Sequence, residues 1–143
     1  MFYRIILICS VFLLFFIPLT YADNTVGLDK KADQIWVYVK EANNIGAFEI
    51  ELHHHATNFK INDITPGELL KTSKRKFTLI GPVSNQAGRT NFGFFSMGGL
   101  NQQGIMGSGI IAVIHCEGDI ASARIKKLKV SDPKGNRKHA RYE

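Results

Sequence analysis

Alternation of apolar and polar residues between positions 34 and 52 constrains the fold of this chain more than any other feature. Every second residue is apolar in two runs, 35–39 and 48–52, which Asn43, Asn44 and Gly46 separate. A period of two indicates β-strands, because successive side chains of a strand point to opposite faces of a sheet. Charged residues on the second face predict a sheet that packs on one side and meets water on the other, as in a sandwich.

Turn signals divide the rest of the chain into short segments. Clusters of glycine, proline and asparagine bound segments of five to eight residues, such as 76–80, 91–97 and 110–116. No segment of helical length carries an apolar stripe of helical period, and only 68–74 has the pattern of one helical turn. The chain is therefore predicted to be all-β, with about eight or nine short strands. Its predicted core includes Phe92, Phe94, Phe95 and Met97.

The first 22 residues, 1–22, have the pattern of a cleaved signal peptide. A short positive start precedes an apolar run over 5–17, and the small residues Thr20 and Ala22 suit a signal peptidase. An uncleaved membrane anchor is the alternative, but a spanning helix needs about 20 apolar residues and Pro18 ends this run early. We therefore expect a mature chain that starts near Asp23 and is exported, to a periplasm or out of the cell.

The segment that follows the predicted signal peptide suits one domain of ordinary size, which we place at 23–136. Cleavage would leave Cys116 as the only cysteine, so no disulfide could form within the exported chain. Cys116 lies in an apolar segment and is predicted to be a buried thiol, because no cationic pair flanks it.

Basic residues are concentrated at the C-terminal end of the chain, whose formal net charge is +6. We assign 137–143 to a basic tail that meets solvent, with acidic polysaccharide or anionic lipid as alternatives. No nucleic-acid partner is expected, because only Tyr142 is nearby to stack on bases. The basic residues of the last eighteen positions are Lys126, Lys127, Lys129, Lys134, Arg137, Lys138 and Arg141.

Three blocks of the sequence, 37–52, 59–70 and 107–116 with 130–135, together resemble the cohesin domain and the related carbohydrate-binding sandwiches. Residues 37–52 (VYVKEANNIGAFEIEL) are similar to the family's strand, Asn-rich turn and second strand. Residues 59–70 (FKINDITPGELL) resemble its short strand before a Pro-Gly-acidic segment, and 107–116 (GSGIIAVIHC) with 130–135 (VSDPKG) resemble its late core strand and closing turn. The resemblance implies an antiparallel two-sheet β-sandwich with jelly-roll topology.

The resemblance also implies a function, which is docking to another protein by a sheet face. Ala47, Glu49 and Glu51 fall on the outward side of the strand that resembles the cohesin recognition strand, so they are the predicted partner-binding residues. The partner would be a dockerin-like or an envelope protein. The chain departs from the family at His54 and His55, which replace a Tyr-Asp pair, and this indicates a divergent member.

Two other functions remain open in the sequence. If Ile35, Val37 and Val39 face the core, Trp36 and Tyr38 lie side by side on the exterior. They could then stack on the sugar rings of a polysaccharide. The opposite parity would bury both rings, and strand ends often change parity through bulges. The third possibility is a structural subunit of an envelope, pilus or secretion assembly.

The His53-His54-His55 run is the one pattern in the sequence with metal-ligand chemistry. Adjacent strand residues point to opposite faces, so at most His53 and His55 could converge on one ion. Two ligands are too few, and sequence alone does not bring His115 or Glu51 beside them as a third. We expect no metal site and no cofactor.

Catalytic patterns are missing from the sequence. The glycine-rich stretch 93–109 has no lysine for a phosphate-binding loop, and neither a Gly-x-Ser-x-Gly elbow nor a His-Glu-x-x-His motif occurs. Glu49 and Glu51 are neighbours beside water, where nothing raises the proton affinity of one of them. The chain is predicted to bind a partner and not to be an enzyme.

Overall fold

The computed structural model describes residues 24–85 and 87–143, in which it has ten β-strands. The predicted signal peptide, 1–22, lies outside the described residues. One helical turn, α1 (Glu68–Lys71), follows β4, and a 3-10 turn, Ile120–Ser122, precedes β8. The strands are β1 (Asn24–Lys30), β2 (Gln34–Ile45), β3 (Ala47–His53), β4 (Phe59–Pro66), β5 (Lys76–Asn85), β6 (Arg89–Met97), β7 (Ile105–Gly118), β8 (Arg124–Ser131), β9 (Arg137–Lys138) and β10 (Ala140–Tyr142).

The strands form two five-stranded sheets. The first sheet has the order β10-β1-β2-β7-β4, and the second has the order β5-β6-β3-β8-β9. All pairings are antiparallel except that of β1 with β10, which is parallel. This architecture confirms the predicted antiparallel two-sheet β-sandwich.

The core lies between the two sheets and is built from the alternating residues. Ile35, Val37 and Val39 of β2 are fully buried, so Trp36 and Tyr38 between them point away from the core. In the second sheet, Phe48 of β3 faces Phe94 of β6 with ring centroids 5.5 Å apart. Burial of these apolar side chains is the main favourable term in the stability of the sandwich.

A short irregular connection closes one end of the sandwich between the sheets. The Pro66-Gly67 pair ends β4 and starts α1, whose Leu70 is buried. A Cβ on Gly67 would lie 2.3 Å from the Ile110 carbonyl oxygen, so only glycine lets the backbone approach β7 this closely.

Among the described residues, no helix is both long enough and apolar enough to cross a membrane.

The last residues of the chain are part of the sheets. Within 137–143, the segment assigned to a basic tail, β9 pairs with β8 in the second sheet and β10 pairs with β1 in the first. The amide of Glu143 donates to the Val26 carbonyl at 3.1 Å. The C-terminal strands therefore extend both sheets, and the basic side chains of this segment are held on the sandwich.

Candidate docking face

The predicted partner-binding residues lie on the central strand of the second sheet. Ala47, Glu49 and Glu51 point outward together with His53, while Phe48 and the other alternate residues of β3 are buried. Each outward residue of β3 has one cross-strand neighbour on β6 and one on β8. In the order β6, β3, β8, the four rows are Phe95–Ala47–Ser131, Gly93–Glu49–Lys129, Asn91–Glu51–Lys127 and Arg89–His53–Arg124.

Both carboxylates of β3 form ion pairs with β8. Lys129 donates to Glu49 at 3.0 Å, and Lys127 donates to Glu51 at 3.0 Å. His53 Nε2 also donates to Glu51, at 2.8 Å. The side chain of Glu51 is only 12% exposed, whereas that of Glu49 is 54% exposed. Glu49 is therefore the more accessible carboxylate of the two.

The contacts of Glu51 determine its protonation. The hydrogen bond from His53 is the largest cause that lowers the pKa of Glu51 below its usual value, and the hydrogen bond from Lys127 is the next. Both donors stabilise the ionised carboxylate. Glu51 is thus held as an anion, which suits an ion-paired surface residue.

The other half of this face is apolar and exposed. Ile80 and Val83 on β5 are 57% and 66% exposed, and Met97 on β6 is 50% exposed. Phe95 lies beside them, half-buried, on the outward side of β6. The structure thus corrects the prediction of a core role for Phe95 and Met97, while Phe92 and Phe94 are buried as expected.

A local irregularity puts two apolar residues of β5 on the same face. Ile80 lies opposite Gly93 and Val83 lies opposite Asn91, with a register shift between them. Residues three apart in a regular strand would face opposite sides of the sheet. The irregularity at Gly81, which has φ +87°, therefore creates the apolar patch, and strand alternation could not predict it.

A shallow groove of about 510 Å³ runs over this face. Ile80, Val83 and Phe95 line it on one side, and Lys129 and Arg137 line it on the other. Gly93 forms part of its floor, where a Cβ would lie 2.3 Å from the Phe48 carbonyl oxygen. We call the outward residues of β5, β6, β3, β8 and β9 the docking face.

Trp36 and Tyr38 lie on the outer face of the first sheet, on the far side of the sandwich from the docking face. Lys31 Nζ lies 5.1 Å from the centroid of the Trp36 ring, and Lys40 Nζ lies 5.2 Å from that of Tyr38. The Tyr38 ring also lies against Gly27, where a Cβ would be 2.3 Å from its hydroxyl oxygen. Both rings are outside, but contacts within the chain already cover part of each.

The three consecutive histidines point in different directions. His53 is on the docking face, whereas His54 turns inward, where its ring lies 4.5 Å from that of Phe59 and its Nε2 lies 2.9 Å from Thr90 Oγ1. His115 is on the outer face of the first sheet and so cannot join His53. In 24–85 and 87–143, no three side chains of His, Cys, Asp or Glu form a group that could hold a metal ion.

The predicted burial of Cys116 is observed. Its side chain is 2% exposed on the inner side of β7 and forms no disulfide. Burial raises the pKa of the Cys116 thiol to about 11, with a smaller contribution from the charge of Asp33. A thiol held in its neutral form is a poor nucleophile, which agrees with a structural role.

Several solved cohesin structures have this architecture. No protein-family model and no curated protein sequence matches the chain. A non-cellulosomal cohesin from Archaeoglobus fulgidus is 18% identical, with a TM-score of 0.60 over 85% of this chain and 87% of its own. The cohesin of a type I cohesin–dockerin complex from Clostridium thermocellum is 15% identical, with a TM-score of 0.60 over 85% of this chain and 88% of its own.

A third structure is the sixth cohesin of scaffoldin B from Acetivibrio cellulolyticus, solved in complex with a Cel5 dockerin. It is 11% identical, with a TM-score of 0.62 over 85% of this chain and 94% of its own. The likeness spans most of both chains in each case, so it concerns the whole sandwich. This chain therefore has the cohesin fold, as the resemblance of its sequence blocks predicted.

Proposed function

We propose that this protein is a non-catalytic, exported module that binds another protein through the docking face. The observation that carries the proposal is the exposed apolar patch beside the ion-paired carboxylates. Of the six large apolar side chains that are exposed in the described residues, three lie there: Ile80, Val83 and Met97. Contiguous exposed apolar surface with a polar border is typical of protein interaction sites.

The partner class follows from the fold and from its known complexes. Cohesins from Clostridium thermocellum and Acetivibrio cellulolyticus were crystallised with dockerins, which supports a dockerin-like partner for this chain. An envelope protein is the alternative partner. Export to a periplasm or to the cell exterior rests on the signal-peptide pattern of 1–22.

The non-catalytic part of the proposal is supported by the ionised state of the Glu51 carboxylate. A general acid needs a carboxyl group whose pKa is raised toward neutrality. The pKa of Glu51 is instead lowered by His53 and Lys127. This environment favours a permanent ion pair on a recognition surface.

A carbohydrate-binding function through Trp36 and Tyr38 is supported less well. A sugar ring that stacks on either side chain would compete with Lys31 or Lys40, which already lie over the rings. The Tyr38 hydroxyl also donates to Glu143 at 2.6 Å. A structural role in an envelope, pilus or secretion assembly would require the protein to self-associate, which the test below measures.

The test is affinity capture with 23–143 as bait against the envelope and secreted proteins of the producing organism. The bait is compared with its Glu49→Lys and Trp36→Ala variants. Glu68→Lys is the matched control, because Glu68 is also an exposed glutamate paired with a lysine, on α1 beside the first sheet. Circular dichroism and thermal unfolding check that each variant is folded.

We expect the unchanged bait to capture one protein. The Glu49→Lys bait should fail to capture it, whereas the Glu68→Lys and Trp36→Ala baits should still do so. Retention on polysaccharide without a protein partner, abolished by Trp36→Ala, would replace docking by sugar binding. Self-association that increases with concentration and needs no ligand would indicate a structural subunit instead.

A further inference from the structure

Two polar clefts lie at the end of the sandwich where β6 connects to β7. The larger has a volume of about 450 Å³ and is lined by 72–74 and 101–106. The smaller has a volume of about 240 Å³, and 133–134 form part of its lining. Residues 101–103 line both, so the clefts adjoin along this loop. We call them the end clefts and propose that they bind an acidic oligosaccharide, a site that does not depend on the docking face.

The loop between the clefts is fixed at both of its ends. Arg75 is only 6% exposed, and its Nη1 donates to the carbonyl oxygens of Gly99 at 2.8 Å and Gln102 at 3.2 Å. At the other end, the Gly104 amide donates to Asn44 Oδ1 at 2.7 Å. A loop that is already ordered loses little conformational entropy when a ligand binds. The end clefts are therefore built before any ligand arrives.

The charge of the end clefts favours an anion. Lys74 lines the larger cleft and Lys134 the smaller, and both side chains are exposed. In the described part of the chain, neither lysine forms an ion pair, and no aspartate or glutamate lines either cleft. The carboxylate of Asp132, just before the smaller cleft, accepts hydrogen bonds from the amides of Lys134 and Asn136, so it is turned into its own loop. Two unpaired cations thus face the ligand space.

The other polar groups of the end clefts suit the hydroxyl groups of a sugar. The side-chain amides of Asn101 and Gln103 are exposed and form no hydrogen bond with other described residues. Ser73 Oγ accepts from the Arg75 amide at 3.1 Å, which leaves its proton free to donate. An amide both donates and accepts, as a hydroxyl group does, so the two can pair in either direction. The carboxylates or sulfates of an acidic oligosaccharide would meet the lysines, and its hydroxyls would meet these groups.

Other anionic ligands fit the end clefts less well. A single-stranded nucleic acid needs aromatic side chains on which its bases stack, and none lines these clefts. An anionic membrane needs apolar surface to insert, and Leu100 is the one large apolar side chain at the tip of the loop. An acidic peptide satisfies the lysines, but its backbone offers one donor and one acceptor per residue where a sugar ring offers several hydroxyls.

Isothermal titration of the protein with four compounds tests the ligand class. Hexagalacturonate and dextran sulfate are acidic saccharides that carry carboxylates and sulfates, respectively. Maltohexaose is a neutral saccharide, and polyglutamate is an acidic chain without hydroxyl groups. We expect one or both acidic saccharides to bind at least about tenfold more tightly than maltohexaose and polyglutamate, and more weakly as salt increases.

Variants of the protein locate the site. The double change Lys74→Glu and Lys134→Glu should weaken binding of the acidic saccharide about tenfold or more. Its matched control is Lys60→Glu with Lys126→Glu, an equal change of net charge at exposed lysines toward the opposite end of the sandwich, which should leave binding within about twofold. Gln103→Ala removes an amide without changing charge and should weaken binding about threefold or more. Circular dichroism checks that each variant is folded.

The outcomes separate this site from the docking face. Glu49→Lys and Trp36→Ala should leave saccharide binding unchanged, so loss with either variant would overturn the assignment to the end clefts. Equal binding of maltohexaose would overturn the need for an acidic group, and equal binding of polyglutamate would overturn the saccharide. Failure of both acidic saccharides to bind would also overturn the proposal. Binding only to phosphatidylglycerol vesicles, lost with Leu100→Asp, would replace the saccharide with a membrane surface.

Discussion

Tyr38 and Glu143 are 105 positions apart in sequence, and the Tyr38 hydroxyl donates to Glu143 Oε1 at 2.6 Å. Lys40 donates to the same oxygen, so these contacts join Glu143 to the middle of β2. This contact also holds β10 beside β1, where the Glu143 amide bonds to Val26. These contacts join β10 to the first sheet, whereas β9 belongs to the second.

This contact predicts a pH-dependent contribution to stability. Hydrogen bonds from Lys40 first and Tyr38 second lower the pKa of Glu143 below its usual 4.5. A lowered pKa in the folded state means that the contribution is present above about pH 4.5 and is lost as the pH falls through the folded-state value. Glu143→Gln should therefore lower the melting temperature slightly at pH 7 and by less at pH 3. An equal difference at both pH values would contradict the prediction.

A side chain at position 93 should destabilise the folded protein. A Cβ there would lie 2.3 Å from the Phe48 carbonyl oxygen, a backbone atom that cannot move without disturbing the β3–β6 pairing. We expect Gly93→Ala to reduce the free energy of unfolding by about 1–3 kcal/mol in urea denaturation. Gly99→Ala is the control, because a Cβ there would be no closer than 3.7 Å to Gln102. A similar loss in the control would argue against the steric explanation.

Phe94 and Phe95 should respond differently to the same substitution. Phe94 is buried against Phe48, so Phe94→Ala should cost about 3–5 kcal/mol of unfolding free energy through the cavity that it leaves. Phe95 points to the docking face and stays partly in water, so Phe95→Ala should cost about 1 kcal/mol or less. Phe95→Ala should instead weaken capture of the partner by the docking face. Equal destabilisation by the two changes would mean that Phe95 is a core residue.

The thiol of Cys116 should be inert in the folded protein. It is buried, and its pKa is raised to about 11 by desolvation, so little thiolate forms at pH 8. With 23–143, in which Cys116 is the only cysteine, we expect no reaction with Ellman's reagent at pH 8 until a denaturant unfolds the chain. Rapid reaction of the native protein at that pH would show that the thiol is accessible.

The faces of β2 and β3 were predictable because strand parity is a local property. The alternation in 35–39 and 48–52 predicted the buried positions, and therefore the outward positions of Trp36 and Glu49. The sequence blocks of the cohesin resemblance predicted the sandwich itself, which the solved cohesin structures support. The parity of the strands needed only the period of the residues, whereas the topology of the sandwich was implied by the resemblance to a known family.

The composition of the docking face was not predictable in this way. Lys129 lies beside Glu49 although 80 positions separate them in the sequence, because β8 pairs with β3. Ile80 and Val83 share a face only because the register shifts between them. The role of Glu49 as a binding residue stays a prediction, which the capture experiment with the Glu49→Lys variant tests.

The all-β class, the buried side of the central strands and the outward position of the acidic residues follow from local alternation, because a period of two is encoded in neighbouring residues. The folded chain alone shows which strands are adjacent, and so which charges pair and which apolar residues form a patch. It also shows that 137–143 contributes a strand to each sheet. Sheet order and bulges depend on backbone hydrogen bonds between distant segments, which no local pattern records.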